Sequence, residues 1–221
     1  MKLIDRNSDL AWLKDKTIGF YLGSFDPLHL GHEHVINSAL KRGVVDEILI
    51  YPAPGGDRFK KRSDVLMRQK MLEARYKAQE HILLTRCTPK ELQKLLGGRK
   101  VIGIIGSDLV LQKLLSDDLD LRNEYDQLFM RGKDLPVKHE KDTIGAVMAL
   151  RADQFIVATR ENEDLSALNG KILDRNIIEV IPSFSVSSSE IRERIRANQP
   201  ITHLVSPAIA EAISAEGLYV K

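Results

Sequence analysis

The sequence predicts a doubly wound α/β fold, a parallel sheet with helices on both faces that closes on two C-terminal helices. Two observations carry this. Short apolar, β-rich runs alternate along the chain with segments whose apolar residues recur at helical spacing, and that alternation implies right-handed helical crossovers between parallel strands. The length, 221 residues, suits one domain with a sizeable core, and no repeat, low-complexity tract or linker divides it. One domain over 1–221 is expected, its C-terminal helical part starting near 187.

Residues 7–14 read as a short helix. The run 17–22 is apolar and β-rich and breaks at Gly23 into a turn containing Asp26 and Pro27. Residues 29–42 place Leu30, Val35, Ile36 and Leu40 at helical spacing, with Gly43 as the stop. A strand at 48–51 leads into a Pro/Gly loop, 52–63, that carries Arg58, Lys60, Lys61 and Arg62. Helical periodicity returns over 63–77, a strand is expected at 81–85, and a helix at 88–96 is closed by Gly97 and Gly98. Further strands are expected at 101–105, 154–159 and 177–181. The stretch 116–151 has the weakest pattern, and its charged first half reads as helix. Ligands of such sheets bind beyond the carboxyl ends of the strands, so motifs that follow strands are the ones to examine.

The charge balance, 33 Lys and Arg against 31 Asp and Glu, gives no support to a general nucleic-acid or membrane-surface binder. A lone cysteine, Cys87, cannot form an internal disulfide and reads as a small filler at a strand end. No apolar stretch reaches the length of a membrane span or a signal-peptide core, so a cytoplasmic protein is expected.

The segment Gly23-Ser24-Phe25-Asp26-Pro27-Leu28-His29-Leu30-Gly31-His32 sits where a strand hands over to a helix. Gly23 would let backbone approach an anion, Ser24 offers a hydroxyl, and free amides with the helix dipole favour negative charge. His29 and His32, three apart, are expected on one face of the first turn, with Gly31 leaving room for a nucleotide. Two imidazoles can then donate to the oxygens of one phosphate chain. Alone, a His-x-x-His is weak: it also fits surface histidines, or a metal site completed by His34. The ten-residue string is far more specific.

A second segment, Val186-Ser187-Ser188-Ser189-Glu190-Ile191-Arg192, has capping-box spacing between Ser187 and Glu190. Arg192 lies one turn into that helix, where a guanidinium can hold two phosphate oxygens at once.

Together these strings resemble the nucleotidylyltransferase superfamily with the His-x-Gly-His signature. Within it the chain is most similar to bacterial nicotinate-mononucleotide adenylyltransferases. The likeness extends to Arg68-Gln69-Lys70-Met71-Leu72, Ile105-Gly106-Ser107-Asp108, Ile156-Val157-Ala158-Thr159-Arg160, and Val205-Ser206-Pro207 through Gly217-Leu218-Tyr219. It implies a Rossmann-like fold and transfer of AMP from ATP to nicotinate or nicotinamide mononucleotide, with release of pyrophosphate, in NAD biosynthesis. It further implies that Ser24 and the amides of Gly23 to Phe25 hold the α-phosphate, that His29 and His32 contact the phosphates, and that Ser187, Ser188, Ser189 and Arg192 grip the triphosphate end. Lys60 and Lys61 would cover the nucleotide, Asp108 would meet a ribose or the acceptor nucleotide, and Arg160 would meet the acceptor.

There are departures. Ser189 stands for the family's usual Thr, the Ser-Tyr-Thr element before the Gly-x-Asp strand is absent, and the tryptophan after that strand has no counterpart, Trp12 being the only one. Tyr125 and Met130 are the candidates for the lost stacking surface, though packing is the more common role of either.

The implied chemistry is in-line attack by the acceptor phosphate on the α-phosphorus of ATP, needing neither a protein nucleophile nor a general base. Magnesium would arrive with ATP, without protein metal ligands. Adenylyl or cytidylyl transfer to phosphopantetheine or another small phosphate acceptor is the alternative, and a non-catalytic nucleotide-sensing module is the alternative of another class. A class I aminoacyl-tRNA synthetase fits poorly, because the chain is short and lacks the Lys-Met-Ser-Lys-Ser type loop. A dehydrogenase is excluded by the missing Gly-x-Gly-x-x-Gly. A homo-oligomer is left open.

Overall fold

The computed structural model describes residues 1–53, 63–107, 152, 154–160, 163–172 and 175–220. Its elements are β1 (Lys2–Ile4), β2 (Thr17–Gly23), α1 (Leu30–Lys41), β3 (Glu47–Pro52), α2 (Val65–Tyr76), β4 (Ile82–Thr85), α3 (Pro89–Leu95), β5 (Lys100–Gly106), β6 (Gln154–Thr159), β7 (Lys171–Ile172), β8 (Arg175–Pro182), α4 (Ser188–Arg196) and α5 (Pro207–Ala215). The sheet order is β1-β4-β3-β2-β5-β6-β8-β7. All neighbours are parallel except β7 and β8.

This is the doubly wound fold, with two corrections at its edges. The three-residue β1 and the two-residue β7 are too short to leave a pattern in the sequence, and β7 makes the sheet mixed rather than wholly parallel. The expected helix at 7–14 is only a 3₁₀ turn, Ala11–Leu13. Asp5 and Asp9 explain it: their side chains accept the amides of Asn7 and Ala11 at 2.8 and 2.9 Å, local bonds that compete with a helix.

Alternation along each central strand serves both faces. In β3, Ile48 and Ile50 join one core with Val35, Ile36, Met71, Leu72, Ile191 and Ile209. Leu49 and Tyr51 join the other with Leu13, Phe20, Leu92, Leu96 and Phe155. Each fully buried Leu or Ile contributes about 2 kcal/mol by leaving water. Helix starts are capped by side chains: Asp64 accepts from Leu66 N at 2.7 Å, and Thr88 and Glu91 form a reciprocal box. Cys87 is buried beside Ile4, the filler expected.

The chain leaves β2 towards β3 and β4, then returns to β5 on the other side of β2. The crevice at the carboxyl ends of β2 and β5 is therefore the topological switch point, where open α/β sheets bind ligands. Gly23 and Ser107 lie there. Among the described residues, no helix is long and apolar enough to cross a membrane.

Candidate active site

His29 is not inside the helix but its N-cap, and His32 is the third helical residue. Each ring reaches the other's backbone: His29 Nδ1 accepts from His32 N at 3.4 Å, and His32 Nδ1 accepts from His29 N at 3.3 Å. Two imidazoles thus build the reciprocal cap that Ser and Glu usually build. The rings stack with centroids 3.6 Å apart. Phe25 and Tyr21 back His32 edge-on, at 5.0 and 6.1 Å.

This geometry fixes the tautomer. With Nδ1 accepting, the proton of a neutral ring sits on Nε2, so both rings offer an Nε2–H donor. Burial, then the charge of Arg160, lowers the His29 pKa from 6.5 to about 4. Burial, then His29, then Arg160, holds His32 well below its ordinary value. Both are neutral at rest, and a phosphate chain would raise both. His34 takes no part: its ring contacts Ser38 Oγ at 3.4 Å and lies 4.9 Å from Phe184. The described residues hold no group of three or more His, Cys, Asp or Glu arranged for a metal ion.

Several expected roles change. A Cβ at Gly23 would meet the Phe25 ring at 2.8 Å, and one at Gly31 would meet Ser183 Oγ at 2.9 Å and His29 Nδ1 at 3.1 Å. Both glycines lie against protein side chains, so a side chain at either position would first meet Phe25, Ser183 or His29. Phe25, at φ 47°, spends its side chain on that packing. Nor are the amides at the start of α1 all free, since Leu30 N donates to Leu204 O at 2.9 Å and His32 N to His29.

The second motif arrives beside the first. Ser187 caps α4 by accepting from Glu190 N at 3.1 Å, but the Glu190 carboxylate turns to Arg194 Nε at 3.0 Å and completes no box. Ser188 Oγ donates to Pro27 O at 2.9 Å, which makes it a tether between the motifs. Arg192 donates to Asp26 O at 2.6 Å and to Ser189 Oγ at 3.1 Å. Among the described residues these bonds engage two of its five N–H groups. Arg160 follows β6, with its amide on Glu163 Oε2 at 2.8 Å and its charge felt by both imidazoles. The structure therefore brings His29, His32, Ser24, Ser187, Ser189, Arg192 and Arg160 to one end of the sheet. Lys60, Lys61, Asp108, Tyr125 and Met130 lie outside the described residues.

Three supporting residues escaped the sequence reading. Arg68, fully buried, donates to Ser24 O, Ala53 O and Ser63 O at 2.6, 2.8 and 3.1 Å. Its signal was an arginine in the stripe 68, 71, 72, 76, otherwise filled by Met, Leu and Tyr. Asp26 is buried, accepting from Ser63 N at 3.0 Å, from the Ser63 hydroxyl and from Tyr219 Oη at 2.6 Å. Glu33, beside His32, pairs with Arg75 at 2.6 Å and ties α1 to α2. The contacts of Asp26 and Glu33 are long-range, and no pattern in the sequence marked them.

A doubly wound sheet with two imidazole donors and a guanidinium at its switch point defines a nucleotidyltransferase class of site. The cytidylyltransferase-like family model matches residues 20–194, and the chain belongs to that family. It is 28% identical to a protein of Acidothermus cellulolyticus named "Probable nicotinate-nucleotide adenylyltransferase", over 91% of this chain and 93% of the relative. A protein of Moorella thermoacetica with the same name is 27% identical, over 91% of each. The fold also matches a solved structure, "Plasmodium falciparum nicotinic acid mononucleotide adenylyltransferase complexed with NaAD", with a TM-score of 0.60 and 18% identity, covering 92% of this chain and 97% of that one.

Proposed function

We propose that the chain transfers AMP from ATP to nicotinate mononucleotide, releasing pyrophosphate. The observation that carries the reading is the reciprocal histidine cap. It presents two neutral Nε2–H donors side by side, and Asp26, three residues before His29, holds the Arg192 guanidinium on its carbonyl. Such a pair suits oxygens of a phosphate chain whose charge grows during transfer, and it is organised before the substrate arrives.

The acceptor phosphate is ionised at neutral pH, so it attacks the α-phosphorus in line without a base. The α-phosphorus–bridging-oxygen bond breaks and the electron pair leaves on pyrophosphate, towards Arg192. His29 and His32 donate to non-bridging oxygens, and Ser24 and Ser189 add hydroxyls. Positioning and electrostatics supply the acceleration. Magnesium enters as part of the nucleotide substrate: the site's own groups are imidazole, guanidinium and hydroxyl, whereas a hard cation takes phosphate oxygens and water.

The named relatives support the pyridine acceptor, and their matches span about nine-tenths of the chain. Arg160 beside the imidazoles gives a cation for the acceptor's phosphate or carboxylate. The test is pyrophosphate release with ATP or CTP against nicotinate mononucleotide, nicotinamide mononucleotide and phosphopantetheine. Turnover is expected with ATP and nicotinate mononucleotide. Turnover only with phosphopantetheine or CTP would keep the reaction class and overturn the acceptor.

A further inference from the structure

We propose that Tyr219 is a positioning residue for Arg192: its hydroxyl holds the Asp26 carboxylate away from the guanidinium, so that Arg192 remains free to take the triphosphate. The inference rests on the reading of Arg192 as a phosphate-gripping group.

Asp26 presents two different acceptors in two directions. Its backbone carbonyl takes Arg192 at 2.6 Å. Its carboxylate takes Tyr219 Oη at 2.6 Å, Ser63 N at 3.0 Å and the Ser63 hydroxyl. A carboxylate one residue's length from a guanidinium is its natural partner, through charge-assisted and often bidentate bonds. Here three neutral donors hold it elsewhere. A fully paired carboxylate has little to gain by moving, whereas one that has lost a donor has much.

The donors come from elements packed on each other. Ser63 leads into α2, and α5, which precedes Tyr219, packs on α2. The turn after α5 is pinned by Gly217 N on Ser214 O and Leu218 N on Ile213 O, at 3.2 and 3.0 Å. Tyr219 adopts φ 67°, a left-handed conformation that a bulky residue keeps only where its surroundings over-determine it. Burial first, and then Asp26, raise the Tyr219 pKa, against the opposing charge of Arg192. The phenol therefore stays a donor at working pH.

With Tyr219→Phe, Asp26 Oδ1 loses a donor and the carboxylate can turn to Arg192, competing with the triphosphate. The test is calorimetric titration of ATP, which needs no acceptor and so separates this inference from the choice of acceptor. Tyr219→Phe should weaken ATP binding about tenfold, the scale of one charge-assisted hydrogen bond. Adding Asp26→Asn, which removes the competing charge, should restore most of that loss. In an Arg192→Ala background, Tyr219→Phe should change ATP affinity less than about twofold. A purely structural Tyr219 predicts the reverse: equal loss in both Arg192 backgrounds, and further loss on adding Asp26→Asn. Either result overturns the proposal. Thermal melts check folding. If Tyr219→Phe does not fold, Ser63→Ala removes the other side-chain donor and should weaken ATP binding in the same Arg192-dependent way; equal loss with and without Arg192 would overturn the proposal.

Discussion

Replacing His29 by asparagine should make the protein less sensitive to acid, by an amount that follows from the site. His29 is 7% exposed, and its pKa falls from 6.5 to about 4, through burial first and then the charge of Arg160. The unfolded imidazole titrates near 6.5. Between those values the unfolded state binds more protons, so the contribution is intact above pH 6.5, falls as pH drops, and is lost once pH passes about 4. Each unit of pKa difference is about 1.4 kcal/mol, so the window is worth about 3 kcal/mol. Asparagine is among the best N-caps and keeps an acceptor for the His32 amide, so α1 should still start correctly. Urea unfolding at pH 7 and pH 4 measures the effect. The stability lost between those pH values should be about 3 kcal/mol smaller in His29→Asn than in the parent. Equal losses would refute a buried, neutral His29, and with it the Nε2–H donor on which the site depends.

His32→Ala should lower kcat by roughly two to three orders of magnitude while changing the KM for ATP little, because its contact strengthens as charge develops; steady-state kinetics showing a raised KM with unchanged kcat would contradict it. Arg192→Lys should not restore parental ATP affinity, since one ammonium cannot serve Asp26 O, Ser189 Oγ and a phosphate in fork geometry; calorimetry with parental values would reduce Arg192 to simple charge balance. Gly31→Ala places a Cβ 2.9 Å from Ser183 Oγ and should cost about 1–3 kcal/mol. Thermal melts should show part of that loss recovered by adding Ser183→Ala; no recovery would mean that the clash lies with His29 instead.

The sequence made the fold legible wherever periodicity was sustained. Strand β6 was read to its exact residues, and α1, α2 and α3 to within one or two at each end, because helical periodicity marks all three and stop glycines close α1 and α3. Strands β1 and β7, paired with β4 and β8, each bury a single residue, Ile4 and Ile172, and are too short to carry a pattern of their own. The two phosphate motifs were legible as strings, but not the division of labour inside them. What one dimension did not show is that Gly23 lies against Phe25, Gly31 against Ser183 and His29, and that the Ser188 hydroxyl donates to Pro27 O. The contacts of Asp26, Glu33 and Tyr219 went unread for a related reason. Their partners are distant in sequence, and hydrogen bonds between distant residues leave no spacing to recognise.

The central claim is that the α-phosphorus of ATP moves onto a nicotinate mononucleotide phosphate. Incubation with ATP labelled at the α-phosphorus, with products separated by mass and label, tests it most directly. The account predicts label in a nicotinate–adenine dinucleotide formed in step with unlabelled pyrophosphate. Label confined to ATP, or released as free AMP or ADP without dinucleotide, would contradict it.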